Sequence, residues 1–327
     1  MTVRALTVSL NPAIDRTLWV ESLVAGACHM ASAEHVQAGG KGFNVAAGLV
    51  SLGVPVTACG WLGADNAARF QRALADRGIV DAMDRVPGAT RENVQITDMA
   101  RQQTTSVDLP GIAFVPMARD LAEAALLRTV RTHLQPGDWC LLTGSLPPGV
   151  DAGTLARLAG EAQAREAHVV IDTGGEVLGA ALRGLVGTAP RPVFVKPNRT
   201  ELEAFAGRPL SSVGDVVGAA RDVAALGVQQ VLVTLGADGA VVVSAQDARH
   251  ITVPTLPVCT TVGAGDAVVA GTVAALIDGA TFAEAARFGL ACASRRVQQR
   301  SPDLPARAVL DAAAATLHSA SWPPAPP

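Results

Sequence analysis

The sequence predicts an α/β fold with parallel strands, because segments typical of strands and of helices alternate along most of the chain. Composition agrees, since hydrophobic residues make up 49% of the 327 residues and charged residues only 17%, enough for a large core. The chain has no Tyr and only 7 Phe. Small aliphatic residues suit helices packed on a parallel sheet, whereas a surface that stacks nucleic-acid bases needs aromatic side chains.

Hydrophobic runs place the predicted elements in order along the chain. Strands are predicted at residues 5–10, 56–61, 139–142, 168–172, 193–195, 231–234 and 240–243. Helices are predicted at residues 41–52, 66–77, 121–133, 267–277, 282–297 and 306–317. Gly53 and Gly78 follow the first two helices, as glycine often does at a helix end. We expect a single domain over residues 1–320 and a loose Pro-rich tail at 321–327.

Two segments, residues 17–36 and 92–108, interrupt the strand–helix alternation. In the second, residues 93–97 and 105–108 alternate in polarity and predict an antiparallel hairpin that turns near Arg101 and Gln102. From the pattern alone, this hairpin is either an edge of the main sheet or part of a separate small sheet.

Charge and cysteine content limit the partners and the compartment. The formal net charge is -3, so no polyanion is implied and we expect no nucleic-acid partner. No signal peptide or long apolar span is evident, so we expect no membrane contact and a cytoplasmic location. The widely spaced cysteines indicate free, mostly buried thiols in a reducing compartment: Cys28, Cys59, Cys140, Cys259 and Cys292. His29 and His35 do not match a zinc-binding spacing.

The hexapeptide TVGAGD at residues 261–266 carries the strongest chemical signal. An apolar helix follows it, so Gly263, Ala264 and Gly265 would present backbone N–H groups at a helix N-terminus, which is a site for anions. A carboxylate beside an anion site, Asp266, suits a general base that takes a proton from a hydroxyl. The alternative is a glycine turn with an Asp cap, which is common.

The glycine-rich turn GGKGFNVA at residues 39–46 opens the first helix. Gly39 and Gly40 permit close approach of a ligand, and Lys41 and Asn44 lie on one helical face. The spacing does not fit a P-loop or GxGxxG. The alternative is a plain strand-to-helix turn. Asp15 follows the first strand at its carboxyl end, where ligands bind in parallel sheets, although a turn Asp would also stand there.

Six motifs in order resemble those of the ribokinase (PfkB) family of sugar kinases. Residues 261–266 resemble its second signature and residues 39–46 its first. The remaining four are LNPAID at 10–15, LTGSLPPG at 142–149, VKPNRTEL at 195–202 and LGADG at 235–239. LNPAID is similar to the opening of the phosphosugar-kinase branch. Together the motifs cover roughly residues 5 to 300.

The resemblance implies a ribokinase-like, doubly wound, mostly parallel sheet flanked by helices, with a small β lid. Lid segments are expected at about residues 16–37 and 90–110. In the family such a lid covers the sugar and often pairs with a second subunit, so a homodimer through the lid is expected. A lid also suits phosphoryl transfer, which must exclude water.

The resemblance also assigns roles to individual residues. Asp266 becomes the base, and the amides of Gly263, Ala264 and Gly265 hold the transferring group. The substrate is met by Asp15, Gly39, Gly40, Lys41, Asn44, Arg91, Asn93 and Ser145, with Arg91 and Asn93 on its existing phosphate. Arg is suited to bidentate phosphate contacts, although an Arg is more commonly a solvated surface charge.

The resemblance implies ATP as phosphoryl donor and Mg²⁺ as its metal. The nucleotide is expected against Lys196, Thr234, Gly236, Asp238 and Gly239. Asn198 and Glu201 are expected to organise hydrated Mg²⁺, which needs only one or two carboxylates. Their spacing also fits a capping box at a helix start, and the two interpretations are compatible.

The expected function is ATP-dependent phosphorylation of a phosphorylated ketohexose, with fructose 1-phosphate giving fructose 1,6-bisphosphate. Alternatives are a tagatose 6-phosphate or fructose 6-phosphate kinase and, more distantly, a non-catalytic sugar- or nucleotide-binding regulator. Some residues depart from the family pattern: Gln95 stands where fructose 1-phosphate kinases tend to have Lys, and Cys28 and His29 stand at a phosphate-binding Lys position of 6-phosphofructokinases. Arg295 and Arg296 replace small residues expected near the adenine.

Overall fold

The computed structural model describes residues 3–185, 191–244, 246–299 and 303–323. Its strands are β1 Ala5–Ser9, β2 Ala13–Val20, β3 Ala33–Gly39, β4 Val56–Gly63, β5 Val80–Val86, β6 Arg91–Asp98, β7 Gln103–Asp108, β8 Trp139–Thr143, β9 His168–Asp172, β10 Phe194–Val195, β11 Gln230–Thr234, β12 Ala240–Ser244, β13 Ala248–Thr252 and β14 His318–Ser321. Its helices are α1 Lys41–Ser51, α2 Ala68–Asp76, α3 Pro116–His133, α4 Ala152–Ala164, α5 Gly175–Gly184, α6 Arg199–Ala206, α7 Val213–Ala225, α8 Ala264–Ile277, α9 Phe282–Arg296 and α10 Arg307–Ala315.

Ten of these strands form the main sheet, in the order β14-β13-β12-β11-β10-β9-β8-β1-β4-β5. The seven strands from β11 to β5 in that order run parallel, and β12, β13 and β14 add antiparallel pairings at one edge. The strand order reverses beside β1, because the chain adds β4 and β5 on one side and β8 to β11 on the other. Such a reversal is where ligands bind in doubly wound sheets.

Helices cover both faces of the main sheet and bury two apolar cores. Leu141 of β8 points into the core that α1, α2, α8, α9 and α10 complete, whereas its neighbour Leu142 points into the core built with α3 to α7. This is the period-2 alternation of a strand buried on both sides. Helix α8 is apolar all round and buried from Asp266 to Ala275, because α1 and α9 pack on either side of it. The predicted α/β, doubly wound fold is confirmed.

The remaining four strands form a separate sheet in the order β3-β2-β6-β7. The predicted hairpin is confirmed as β6 and β7, which pair antiparallel with Asn93 opposite Asp108. Its partner on the other side is β2, with Asp15 opposite Asn93, so the alternative of an edge hairpin on the main sheet is wrong. We call β3, β2, β6 and β7 the lid sheet.

Several elements differ from the sequence-based prediction. Asp15 lies within β2 of the lid sheet rather than in a turn after the first strand. The edge strand β5 was not predicted, because three charged residues interrupt the apolar ones in its sequence VDAMDRV. The strands β13 and β14 and the helices α4, α5 and α7 were also missing from the prediction. Helix α3 starts five residues earlier than predicted, at Pro116, where proline suits the first helical turn.

The sequence predicts a loose tail at residues 321–327. The structure differs at the first two of these residues. Ser321 pairs with Arg249 in the sheet, and the Trp322 N–H donates to the Ala248 carbonyl at 2.7 Å. The Trp322 ring packs against the core of the α3–α7 face. Strand pairing with β13, which composition could not reveal, anchors these residues, whereas residues 324–327 lie outside the described part of the chain.

All five cysteines are free, as expected. Cys59, Cys140 and Cys292 are buried, and Cys28 and Cys259 are exposed. Within the described ranges, none of the helices combines the length and the apolar character needed to cross a bilayer.

The packing of Trp322 gives the first prediction. Trp322→Ala should lower the free energy of unfolding by about 1–3 kcal/mol, less than for a fully buried Trp because the ring is only partly covered. Urea denaturation followed by circular dichroism measures the change. Met117→Ala, which truncates a side chain that is 76% exposed, is the control and should stay within about 0.5 kcal/mol of wild type. Equal midpoints for both variants would contradict an anchored Trp322.

Candidate active site

A cleft of about 410 Å³ lies between the lid sheet and the carboxyl ends of the central strands. Its walls come from the lid strands β2, β6 and β7, from the starts of α1, α6 and α8, and from the end of β11. It is lined by Asp15, Gly40, Lys41, Asn44, Arg91, Asn93, Gln95, Ser106, Asp108, Lys196, Asn198, Glu201, Thr234, Val262, Gly263, Gly265 and Asp266. The cleft thus unites residues that stand up to about 250 positions apart in the sequence.

The floor of the cleft is the N-terminus of α8. Gly263 caps this helix in the left-handed conformation, with φ of 77°, and no side chain caps the helix. The Ala264 N–H donates to the Thr261 carbonyl at 3.2 Å, so it is engaged within the turn. The free donors of the first turn are therefore those of Gly265 and Asp266, and these suit an anion in the cleft.

Asp266 is buried, with 6% of its surface exposed, and accepts a hydrogen bond of 2.8 Å from the Asn44 side-chain amide. Burial and, next, the Asp172 charge raise its pKa from 3.8 to about 6. The Asn44 hydrogen bond and the charges of Lys41 and Lys196 oppose this rise. A carboxylate with raised proton affinity, ionised at neutral pH, suits a general base.

Asp172 is the fully buried centre of the charge cluster behind the cleft. Its Oδ1 lies 3.1 Å from Lys41 Nζ and 3.3 Å from Lys196 Nζ, and its Oδ2 has no partner. Burial would raise the pKa of Asp172, but the two lysines outweigh it and hold that pKa below its usual range. Likewise, burial would lower the pKa of Lys41, but Asp172, Glu201 and Asp266 outweigh it and raise the pKa.

Sequence reasoning missed Asp172. Its one signal is position, because it ends the apolar run HVVID and so stands at the carboxyl end of β9, one strand from the switch point of the sheet.

The far wall of the cleft belongs to the lid sheet. Asp15 is 8% exposed and accepts a hydrogen bond of 3.2 Å from the Asn93 amide. Burial raises the pKa of Asp15 against the opposing effects of Asn93 and Arg91. Gly39 lies so close that a Cβ there would overlap the Asp15 carboxylate. The predicted proximity of Asp15, Gly39, Asn93 and Arg91 is therefore observed.

Arg91 is not a solvated surface residue. Its Nη1 donates to the Leu109 carbonyl at 2.9 Å, and its Nε is buried without a partner. Burial lowers the pKa of Arg91, while Asp108 and Asp15 act in the opposite direction. A half-buried guanidinium with an N–H donor that lacks a protein partner suits a phosphate ligand.

Ser145 does not line this cleft, and its expected contact with the substrate stays a prediction. It is exposed and accepts a hydrogen bond of 3.2 Å from the Asn11 side-chain amide. The two residues belong to a neighbouring hollow of about 540 Å³, of which Arg91 and Asp108 form the shared wall. The Gly144 turn carries the chain around the end of β8 and directs Ser145 to the outer side of that wall.

Asn198 and Glu201 form the predicted capping box at the start of α6. The Glu201 N–H donates to the Asn198 side chain and the Asn198 N–H donates to the Glu201 carboxylate, both at 2.8 Å. Glu201 also accepts a bond of 3.4 Å from Lys41. The capping interpretation is confirmed, and the metal role stays a prediction. The described residues contain no group of three or more His, Cys, Asp and Glu side chains that could hold a metal.

The predicted nucleotide residues divide into two sets. Lys196 and Thr234 line the cleft, and the backbone of Thr234 forms an isolated parallel β-bridge with that of Asn198. Gly236, Asp238 and Gly239 form a turn beyond the cleft wall, in which the Asp238 side chain is exposed and lies 3.6 Å from Arg199. A Cβ at Gly239 would overlap the carbonyl of Ile251, so packing against β13 is enough to require that glycine.

The family match extends over most of the chain. Residues 8–308 match the model described as pfkB family carbohydrate kinase. The chain belongs to the PfkB family of carbohydrate kinases.

Named relatives of this PfkB kinase match it over nearly its whole length. It is 44% identical to the 1-phosphofructokinase of Rhodobacter capsulatus, over 99% of this chain and 100% of the relative. It is 40% identical to the 1-phosphofructokinase of Xanthomonas campestris pv. campestris, over 97% and 98% of the two chains. Phosphofructokinase-2 of Escherichia coli in complex with potassium superposes with a TM-score of 0.86 at 28% identity, covering 96% and 99% of the two chains.

The two arginines that depart from the family pattern lie apart in this PfkB kinase. Arg295 donates to the Gln298 side chain at 3.1 Å and is half-buried. Arg296 is buried and packs behind Gly263 of the anion site, next to Asp15 and Asn44. Sequence reasoning placed both near the adenine, and it did not foresee that one of them backs the anion site.

Proposed function

We propose that this PfkB kinase transfers the γ-phosphoryl group of ATP to fructose 1-phosphate and produces fructose 1,6-bisphosphate. The observation that carries this proposal is one cleft in which the Asp266 carboxylate and the first turn of α8 face Arg91 of the lid sheet. A base, an anion site and a second anion-binding cation are the parts that phosphorylation of a phosphosugar needs. The two relatives at 44% and 40% identity, both named 1-phosphofructokinase, support the choice of substrate.

In the proposed reaction, Asp266 accepts the proton of the acceptor hydroxyl. The hydroxyl oxygen forms a bond to the γ-phosphorus, the bond from that phosphorus to the bridging β,γ-oxygen breaks, and ADP leaves with that oxygen. Asn44 orients the carboxylate through its 2.8 Å hydrogen bond, and Asp15, which accepts a hydrogen bond from Asn93, meets the sugar hydroxyls from the opposite wall. The burial of Asp266 limits the access of water, which would otherwise compete with the sugar hydroxyl.

Charge on the transferring group is met by donors that are in place before the reaction. The buried Lys196 ammonium lies beside Gly265, since a Cβ on Gly265 would be 3.3 Å from Lys196 Nζ. Preorganised donors of this kind stabilise a transition state without reorganisation. When bound, Mg²⁺ would neutralise charge on the nucleotide phosphates, and the oxygens of Glu201 and Asn198 are the hard ligands that suit it, with water completing its shell. Lys41 contacts both Glu201 and Asp172, so the unpartnered, buried Oδ2 of Asp172 is a further anionic oxygen near Glu201.

We also propose a homodimer through the outer face of the lid sheet. Leu18 pairs with Ile96 and Val94 with Val107, and these four apolar side chains share the face opposite to Asp15 and Asn93. None of the four is buried in this chain. A second copy of the same sheet would cover them. Five free cysteines and the need for ATP support a cytoplasmic location.

Two groups of alternatives remain for the assay to decide. Fructose 6-phosphate differs from the proposed substrate in which end carries the phosphate, tagatose 6-phosphate differs in addition in its configuration at C4, and the same Arg91 could serve either end. A non-catalytic regulator has no need for a buried base whose pKa is raised to about 6, so Asp266 argues against that class.

The first test of the proposal concerns Asp266. Asp266→Asn should lower kcat by roughly 10²–10⁴-fold with little change in ATP affinity, because the amide cannot accept the proton. The wild-type kcat should fall as pH drops below about 6, since the carboxyl is then protonated and cannot act as base. The melting temperature of Asp266→Asn should not fall, because the substitution removes a buried charge. A folded variant with near wild-type turnover would refute the assignment.

The second test concerns Arg91 and the phosphate already present on the sugar. With a panel of phosphosugars in a coupled ADP assay, the wild type should prefer fructose 1-phosphate. Arg91→Ala should raise the KM for fructose 1-phosphate by about 10–100-fold, as expected for a lost charge-assisted bond. Activity on unphosphorylated fructose should change little. Arg69→Ala is the control, because Arg69 also donates to a backbone carbonyl, that of Val36 in β3, but lies outside the cleft.

Equal losses of Arg91→Ala on both sugars would mean that Arg91 shapes the lid sheet and does not bind the phosphate. A wild type that prefers free sugars would overturn the substrate and leave the role of Asp266 standing.

The third test concerns the lid dimer. Sedimentation equilibrium at micromolar concentration should give a dimer for the wild type and a monomer for Val107→Glu, because the new charge would be desolvated in the interface. Val309→Glu, on α10 and 44% exposed, is the control and should remain dimeric. A monomeric wild type would refute the proposal.

A further inference from the structure

Arg296 is a buried cation behind the anion site. Among the residues that the structure describes, Lys196 and Arg296 are the two basic side chains that are more than nine-tenths buried, with 3% and 6% exposed. Lys196 faces the cleft, whereas the guanidinium of Arg296 lies against the back of Gly263. A Cβ on Gly263 would be 3.4 Å from Arg296 Nε and 3.8 Å from its Nη2.

Arg296 is fixed at both ends. Its backbone belongs to the last turn of α9, and its Nη1 donates to the Gln299 carbonyl at 2.9 Å. The Val297 carbonyl, next in the chain, accepts from the Cys259 N–H at 2.7 Å, which ties this helix end to the segment that leads into Gly263. These contacts therefore hold the guanidinium in place against the turn at Gly263.

A small cavity of about 20 Å³ joins Arg296 to the two sides of the active site. Asp15, Gln37 and Asn44 share its wall with Arg296 and Gly263. The volume is enough for one water molecule. Arg296 thus stands behind the carboxylate of the sugar site and behind the amide that orients Asp266, without lining the cleft itself.

The charge of Arg296 acts on the same groups. Burial lowers the pKa of Arg296, and the carboxylates of Asp266 and Asp303 act in the opposite direction. An arginine stays charged at all working pH values. A buried charge is destabilising unless anions lie near it, so its position next to the anion site calls for an explanation.

We propose that Arg296 is a positioning residue of the phosphoryl-transfer site: it supports the left-handed turn at Gly263 from behind and supplies a fixed positive charge beneath the anion-binding amides. The inference rests on the proposed kinase function. Support of the turn matters because a shift of about 1 Å in a catalytic donor can reduce the rate about 10²-fold. The fixed charge also favours the ionised form of Asp266, alongside Lys41 and Lys196 and against Asp172.

The test compares Arg296→Met and Arg296→Lys with Arg295→Met. Arg295 ends the same helix, is half-buried and contacts Gln298, so its Met variant controls for loss of an arginine at this helix end. Arg296→Met should lower kcat about 10–100-fold and leave both KM values within about threefold, because Arg296 does not line the cleft. The pH below which kcat falls should move upward, since removal of a positive charge makes Asp266 harder to ionise.

Arg296→Lys should restore that pH to the wild-type value, because the charge returns, and should recover only part of kcat, because an ammonium cannot lie flat under Gly263. Arg295→Met should match wild type in both readouts. Arg296→Gln replaces Arg296→Met if the latter does not fold, since Gln is also uncharged but keeps a polar end at this position.

Equal kcat and pH behaviour of Arg296→Met and Arg295→Met would overturn the inference. So would a loss of kcat that follows the melting temperature with no movement of the pH profile. If the wild type prefers another phosphosugar, the same variants are compared on that substrate, so the proposed substrate can fail while this inference stands.

Discussion

A single buried carboxylate, Asp172, connects the elements that form the active site. It receives Lys41 from the start of α1 and Lys196 from the end of β10, and Lys41 continues to Glu201 at the start of α6. Each of these charges would be costly alone in the interior, so each requires the others in place. The cluster therefore aligns three chain segments at the carboxyl edge of the sheet, where the phosphates of the proposed nucleotide would lie.

The same cluster sets the chemistry of Asp266. Burial and the Asp172 charge raise the pKa of Asp266, whereas Asn44, Lys41 and Lys196 lower it, and the balance is a pKa of about 6. The opposite balance holds at Asp172, where the lysines prevail and keep the carboxyl ionised. Two buried carboxylates in one site thus differ in proton affinity because the lysines contact only one of them. Such divergence marks the acid–base group of a site.

The sequence predicts what local patterns encode. The alternation of strands and helices, the β6–β7 hairpin and the capping box at Asn198 required only neighbouring residues and are confirmed, although several individual strands and helices were missed. Asp172, Arg296 and Trp322 were missed because their roles arise from contacts with distant segments, and no local spacing carries that information. Ser145 shows the same limit: its motif predicts a turn at the end of β8, but not that this turn lines a hollow beside the cleft with Arg91 as a shared wall.

The motif glycines illustrate how far such a local interpretation reaches. Their absence of a side chain was predicted to let ligands approach the backbone. In the structure, charged side chains of the protein lie beside three of these glycines: the Asp15 carboxylate at Gly39, Lys196 at Gly265 and Arg296 at Gly263. A Cβ at Gly39 would overlap the Asp15 carboxylate, a Cβ at Gly265 would lie 3.3 Å from Lys196 Nζ, and at Gly263 it is the positive φ that favours glycine. At Gly39, therefore, the absence of a side chain lets a carboxylate pack against the backbone, and a sugar would meet the surface that this packing creates.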